Sequence, residues 1–216
     1  MPAEDIYYHR HLPHYHPNDY PLFITFRLAG SLPVEILAEL KARREFELKT
    51  LKNATADERY RIEKKHFGYY DHWLDQCKFG PRWLQTDNIA QIVANEMKSL
   101  NNDRYWLMAY CIMPDHVHLL IESLLNEQAN HQGKSASYPV TDTLRLLKGR
   151  TAHDCNLKLA RHGGFWQHES YDHYARDEEE LERIIKYILH NPVKAGLAKD
   201  WKEWQFTYIS PELGSW

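Results

Sequence analysis

Two β-forming runs, 103–113 and 116–122, flank the dipeptide Pro114-Asp115. A proline–aspartate pair between such runs makes a turn, so the segment reads as an antiparallel hairpin. That hairpin fixes much of what the rest of the chain can do. It needs further strands beside it and helices to cover its faces. An upstream run at 21–28, rich in β-formers and bounded by Pro21 and Gly30, reads as another strand. An aromatic stretch at 165–174 reads as extended. Helical spacing of Ile89, Ile92, Val93 and Met97 predicts a helix over 87–100, and a second runs from Thr141 to about Asp154. A third runs from Asp177 to about Asn191. Asp177 caps it, Glu178, Glu179 and Glu180 favour its dipole, and Pro192 ends it.

The resulting order is the βαββαβ of an α+β, ferredoxin-like antiparallel sheet, followed by a C-terminal tyrosine-bearing helix. Residues 33–78 interrupt it as an inserted helical hairpin. Ser31 is the expected cap of its first helix, on which Leu37, Leu40, Phe46 and Leu48 recur at rough helical spacing. The second helix runs from near Asp57 to about Cys77. Its mixed charge reads as an amphipathic surface lying on the main fold. One domain over 1–216 is expected, with 33–78 as an insertion and 198–216 as a tail that packs on the sheet. Residues 6–20, rich in Tyr and His, read as an extended arm, and 124–139 as a polar loop.

Composition narrows the function. At 216 residues, 43% hydrophobic and 26% charged, the chain is not disordered throughout. No apolar run approaches the ~18 residues of a spanning helix. The acidic N-terminus lacks the apolar segment of a secretory signal, so the cytoplasm is the expected location. Cys77, Cys111 and Cys155 are scattered, which argues against a disulfide framework and a cysteine-rich zinc site. The net charge of −3 means that any nucleic acid must be held by local patches.

Two constellations carry chemistry. In a strand, His116 and His118 project from one face, with Val117 turned to the other. They read either as a solvent-facing pair or as two metal ligands on one rigid element. Tyr187 and Asn191, four apart, share a helix face. Tyr187 reads either as a half-buried core residue or as a nucleophile. A phenol with a pKa near ~10 needs help at neutral pH, and a metal that polarises a phosphate supplies it. The amide oxygen of Asn191 suits a hard cation. His190 points about 100° away from Asn191 around the helix. Cationic side chains at Arg10, Arg145, Lys148, Arg150 and Lys194 are candidate phosphate contacts.

The segment Tyr110–Glu122 resembles the histidine–hydrophobic–histidine strand of single-tyrosine HUH transposases, the insertion-sequence-200-like superfamily. Tyr187–Leu197 resembles the tyrosine helix and following turn of REP-associated tyrosine transposases. Residues 11–17, 24–28, 164–167 and 171–173 resemble further parts of the same proteins, and 33–78 resembles the helical insertion of one subgroup. The resemblance spans residue 9 to about 208. It implies that His116, His118 and Asn191 bind a divalent metal, Mg²⁺ or Mn²⁺, with waters and the DNA phosphate completing the shell. It implies that Tyr187 attacks a DNA phosphate, forming a 5′-phosphotyrosyl link and releasing a 3′-OH. The implied partner is single-stranded DNA with hairpins, acted on by a monomer or homodimer. Two other readings remain open on the residues alone. One is a hairpin-binding module without cleavage. The other is a metallohydrolase using the histidine pair with Glu122, which lies on the same strand face.

Overall fold

A computed structural model describes residues 6–9, 13–16, 20–50, 55–124 and 139–216. Arg10 and most of the polar loop expected at 124–139 lie outside the described residues. The arm contains two short antiparallel strands, β1 (Ile6–His9) and β2 (Pro13–His16). The main sheet is built from β3 (Leu22–Arg27), β4 (Tyr105–Ile112), β5 (His116–Ser123), β6 (Tyr171–Tyr174) and β7 (Thr207–Ile209). Its order is β6-β3-β5-β4-β7, with every neighbouring pair antiparallel. The first four strands follow the ferredoxin-like order that βαββαβ connectivity dictates. The tail adds β7 at the outer edge. The helices are α1 (Val34–Thr50), α2 (Ala56–Asp75), α3 (Asp87–Ser99), α4 (Pro139–Lys158) and α5 (Glu178–Lys194). No described helix is long and apolar enough to cross a membrane.

The pleat sends alternate side chains to opposite faces. Leu22, Ile24 and Phe26 of β3, with Val117, Leu119 and Ile121 of β5, pack against Ile89, Val93 and Met97 of α3 and Leu147 of α4. Phe23 and Leu120 face the other way, toward Ile185, Ile188 and Leu189 of α5 and Phe67 of α2. A bulge in β4 between Leu107 and Ala109 puts Met108 and Ala109 together on this second face. It returns Tyr110 and Ile112 to the first.

The second helix starts at Ala56, beside the expected Asp57, and Thr55 caps it: its hydroxyl accepts from the Glu58 N–H, and the Glu58 carboxylate accepts from the Thr55 N–H. Three expectations are corrected. Ser31 caps nothing; it is buried and accepts from the Arg27 guanidinium at 3.1 Å. Pro192 does not end α5. A proline forfeits one N–H donor but has a helical φ, so the helix runs on to Lys194. It closes with the Ala195 N–H on the Asn191 carbonyl and Gly196 at φ 71°. Of the stretch 165–174, only Tyr171–Tyr174 forms a strand, while Trp166 makes a single bridge to Leu28.

The junction after α2 depends on one glycine. Gly80 adopts φ +63°, and a Cβ built there would lie 2.0 Å from the Gly30 carbonyl oxygen. Gly80→Ala is therefore expected to cost about 2–4 kcal/mol from left-handed strain and backbone overlap. Gly30→Ala meets only Pro81 Cδ at 4.0 Å and should cost only the strain, about 1 kcal/mol. Urea denaturation midpoints of the two variants check the order.

Candidate functional site

The site forms where the start of β5 meets α5 and the last turns of α2. His116 and His118 are both fully buried on the α5 side of the sheet. Cross-strand register sets His118 beside Thr25 and His116 beside Arg27. The Nδ1 of His116 donates to the Asp115 carboxylate at 2.6 Å, and the Nδ1 of His118 lies 2.9 Å from the Thr25 hydroxyl. With both Nδ1 atoms engaged, the two Nε2 atoms meet 3.0 Å apart. The solvent-facing reading of the pair does not describe this structure.

α5 brings Tyr187 and Asn191 to the same place, one turn apart. Asn191 Nδ2 lies 3.1 Å from His118 Nε2, and the Tyr187 ring centroid lies 5.3 Å from that of His118. Lys194 stands on the same helix face, three residues beyond Asn191. His190 points outward, 3.0 Å from the Lys186 carbonyl.

Two residues that sequence reasoning passed over complete the cluster. Asp71 and Asp75 project from α2, four apart. The Tyr187 hydroxyl hydrogen-bonds Asp71 Oδ2 and lies 3.0 Å from Asp75 Oδ1. Asp75 Oδ1 also accepts from Asn191 at 3.0 Å, and its Oδ2 accepts from Lys194 at 2.6 Å. The mixed-charge helix is therefore not only a solvated surface. Ile62, His66, Phe67, Asp71, Leu74 and Asp75 form its buried stripe. The signal was present: both aspartates fall in register with Phe67 and Leu74. The other acidic candidate, Glu122, lies four residues beyond His118 on β5, roughly 13 Å along the strand.

Burial shapes the electrostatics. Burial disfavours charge on His116, yet hydrogen bonds with Asp115 and Cys77 hold it well above the ordinary imidazole range. Burial, and then the charge of His116, holds His118 well below that range. Burial raises the carboxyl of Asp71, helped by the charge of Asp75, to about 7. Burial works against Asp75 too, but His118, Lys194 and Asn191 together keep its carboxyl below the usual range. The Tyr187 phenol lies well above its ordinary value, through burial and then the two carboxylates. One cation placed among these groups would reverse most of these shifts. The donors fit such an ion: the facing Nε2 atoms share one proton at most, and the buried Asn191 Oδ1, which has no hydrogen-bond partner, would take the place of Nδ2 beside His118 if the amide turned over.

The other sequence candidates fall elsewhere. α4 packs on the opposite face of the sheet. There Arg145 is exposed and pairs with Asp142 at 3.3 Å, and Arg150 pairs with Glu96 at 3.0 Å. Lys148 is not a free cationic end. Its ammonium donates to the carbonyls of Gln167 and His168 and to the Ser170 hydroxyl, and burial lowers its pKa to about 8. Of the cationic candidates with described side chains, Lys194 is the one that reaches the cluster.

Residues 82–191 match the family model described as "Transposase IS200 like". The chain is 30% identical over 122 residues to a Haemophilus influenzae protein assigned as a REP-associated tyrosine transposase, covering 56% of this chain and 69% of the relative. It is 25% identical over 140 residues to the REP-associated tyrosine transposase of Escherichia coli K12, covering 59% and 76%. A solved structure of a REP-associated tyrosine transposase bound to a REP hairpin superposes with a TM-score of 0.52. That match covers 93% of this chain and 80% of the other at 17% identity, and shows the same fold.

Proposed function

As this chain belongs to the family of IS200-like transposases, we propose that it cuts and rejoins single-stranded DNA beside a hairpin through a phosphotyrosyl intermediate at Tyr187. The observation that carries this reading is the convergence, within one chain, of Tyr187 and Asn191 from α5 on the paired Nε2 atoms of β5. His116 and His118, through Nε2, and Asn191, through its amide oxygen, are the residues that would hold Mg²⁺ or Mn²⁺. When bound, the ion supplies positive charge at the scissile phosphate.

The chain's own groups carry the rest. The Tyr187 oxygen bonds to phosphorus, and the bond from phosphorus to the 3′-oxygen breaks. The strand downstream of the cut stays on the enzyme through its 5′-phosphate, and the upstream strand leaves through its 3′-oxygen, which takes a proton from solvent to become a 3′-OH. Asp71 Oδ2, already hydrogen-bonded to the phenol, accepts its proton. A 3′-OH attacking the phosphotyrosine reverses the exchange, so no external energy source is required. Lys194, at the site, offers a cationic contact for the phosphates. A hairpin partner is supported by the REP hairpin in the related solved structure. Tyr187 faces the histidines of its own chain, which supports a working monomer.

The test is an adduct assay. Purified protein is mixed with Mn²⁺ and end-labelled single-stranded hairpins taken from the gene's flanks. A protein–DNA band that survives denaturation, needs the metal and maps to the Tyr187 peptide is the expected result. Cleavage that leaves no adduct at any time would point to attack by water and overturn the tyrosine mechanism.

A further inference from the structure

The geometry points to α2 as part of the metal centre: Asp75 is its anionic ligand, beside His116 and His118. This rests on the metal-dependent reading above. It concerns a residue outside the matched segment 82–191, on a helix whose charge alone marks it as surface.

Three observations carry it. First, one ligand atom each from Asp75, His116 and His118 lie within 4.8 Å of one another, and all three residues are buried. The individual separations are 3.0 Å between the two Nε2 atoms and 3.9 Å from His118 Nε2 to Asp75 Oδ1. An octahedral ion with bonds of about 2.1 Å sets neighbouring donors about 3 Å apart and opposite ones about 4.2 Å apart. Both separations lie within that range, and the third side is no longer than 4.8 Å. Second, the other candidate ligands, two imidazoles and an amide, are all neutral. Mg²⁺ and Mn²⁺ prefer hard, anionic oxygen, and a buried dication without a counter-charge is costly. Third, Asp75 is fixed in place from three directions. Asn191, Tyr187 and Lys194 all donate toward its two oxygens. The Lys194 ammonium donates to Oδ2, while Oδ1, which accepts from Asn191 and Tyr187, lies 3.9 Å from His118 Nε2. Asp75 thus stands between the ligand residues and the Tyr187 hydroxyl, where one carboxylate can bind the ion and orient the phenol.

Direct Mn²⁺ binding tests this without DNA or turnover. The full-length protein is titrated with Mn²⁺, and the sharp electron-paramagnetic-resonance signal of the free ion is followed. Asp75→Asn, which keeps the shape and removes the charge, is expected to weaken binding at least tenfold. Asp75→Glu should stay within about threefold of wild type. Lys194→Met, which frees the same carboxylate from a competing cation, should bind Mn²⁺ at least as tightly as wild type. If Asp75→Asn binds like wild type while His118→Ala loses binding, Asp75 is no ligand, and the proposed reaction still stands. If His118→Ala also binds like wild type, both readings fall. Circular dichroism checks that each variant is folded. Should Asp75→Asn unfold, the Lys194→Met titration decides: a tenfold loss there would show that Asp75 only anchors the lysine.

Discussion

Tyr187→Phe is expected to abolish the covalent adduct and to slow strand cleavage by at least about 10⁴-fold, the scale on which removing a nucleophile acts. The ring itself should stay where it is. Phe23, at 6.1 Å between centroids, and His118 frame it, and neither contact uses the hydroxyl. Loss of the hydroxyl removes a donor from Asp71 and leaves Asp75 with those of Asn191 and Lys194. That carries a stability cost of about 1–2 kcal/mol. Asp71, whose carboxyl already sits at about 7, offsets part of it by taking up a proton. Hairpin affinity, read by fluorescence anisotropy, should change less than about threefold, because phosphate contacts supply most of it. The variant should therefore bind its substrate and not cut it. Residual cutting within tenfold of wild type would sink the assignment.

The histidines should fail alike in activity and differently in stability. His116→Ala and His118→Ala each remove a proposed ligand and are expected to lower Mn²⁺-dependent adduct formation by about 10³-fold. Their neighbours differ. His116 is bonded to Asp115, a carboxylate only 1% exposed. Removing the imidazole leaves that charge buried, with the Cys77 thiol at 3.5 Å as its remaining side-chain hydrogen-bond partner among the described residues. His118 leans on the Thr25 hydroxyl, a neutral group that tolerates the loss far better. His116→Ala should therefore be less stable than His118→Ala by about 2 kcal/mol. Chemical denaturation of the two proteins without metal reads the difference. Equal stability would mean that Asp115 finds another donor, and that the Asp115–His116 bond does not hold the ligand in place.

What the sequence made legible follows from how local each signal is. The β4–β5 hairpin, the shared face of His116 and His118, and the pairing of Tyr187 with Asn191 all follow from periods of two and of about four. Backbone geometry fixes these before any packing occurs. The strand order followed from the element order. Asp71 and Asp75 were not legible in this way. Whether a charged helix face meets water or another element depends on docking, which no local pattern encodes. Lys148 shows the reverse error: a cation spaced like a phosphate contact is used up on the main chain of 167–170. Pro192 shows how a breaker is overridden when only one donor is lost and the next turn can still close.

Tyr187, Asn191 and Lys194 are carried by one continuous stretch of α5. The proposed nucleophile, a proposed ligand and the lysine that holds Asp75 thus ride on a single rigid body. Such parts cannot be set independently; they arrive together or not at all. Thermodynamic reciprocity then applies. Whatever seats α5 raises the affinity for the ion, and the ion's binding free energy seats α5 in return. A substitution far from the chemistry that loosens this helix would thus show up as weak ion binding and a misplaced tyrosine at once, by the same factor.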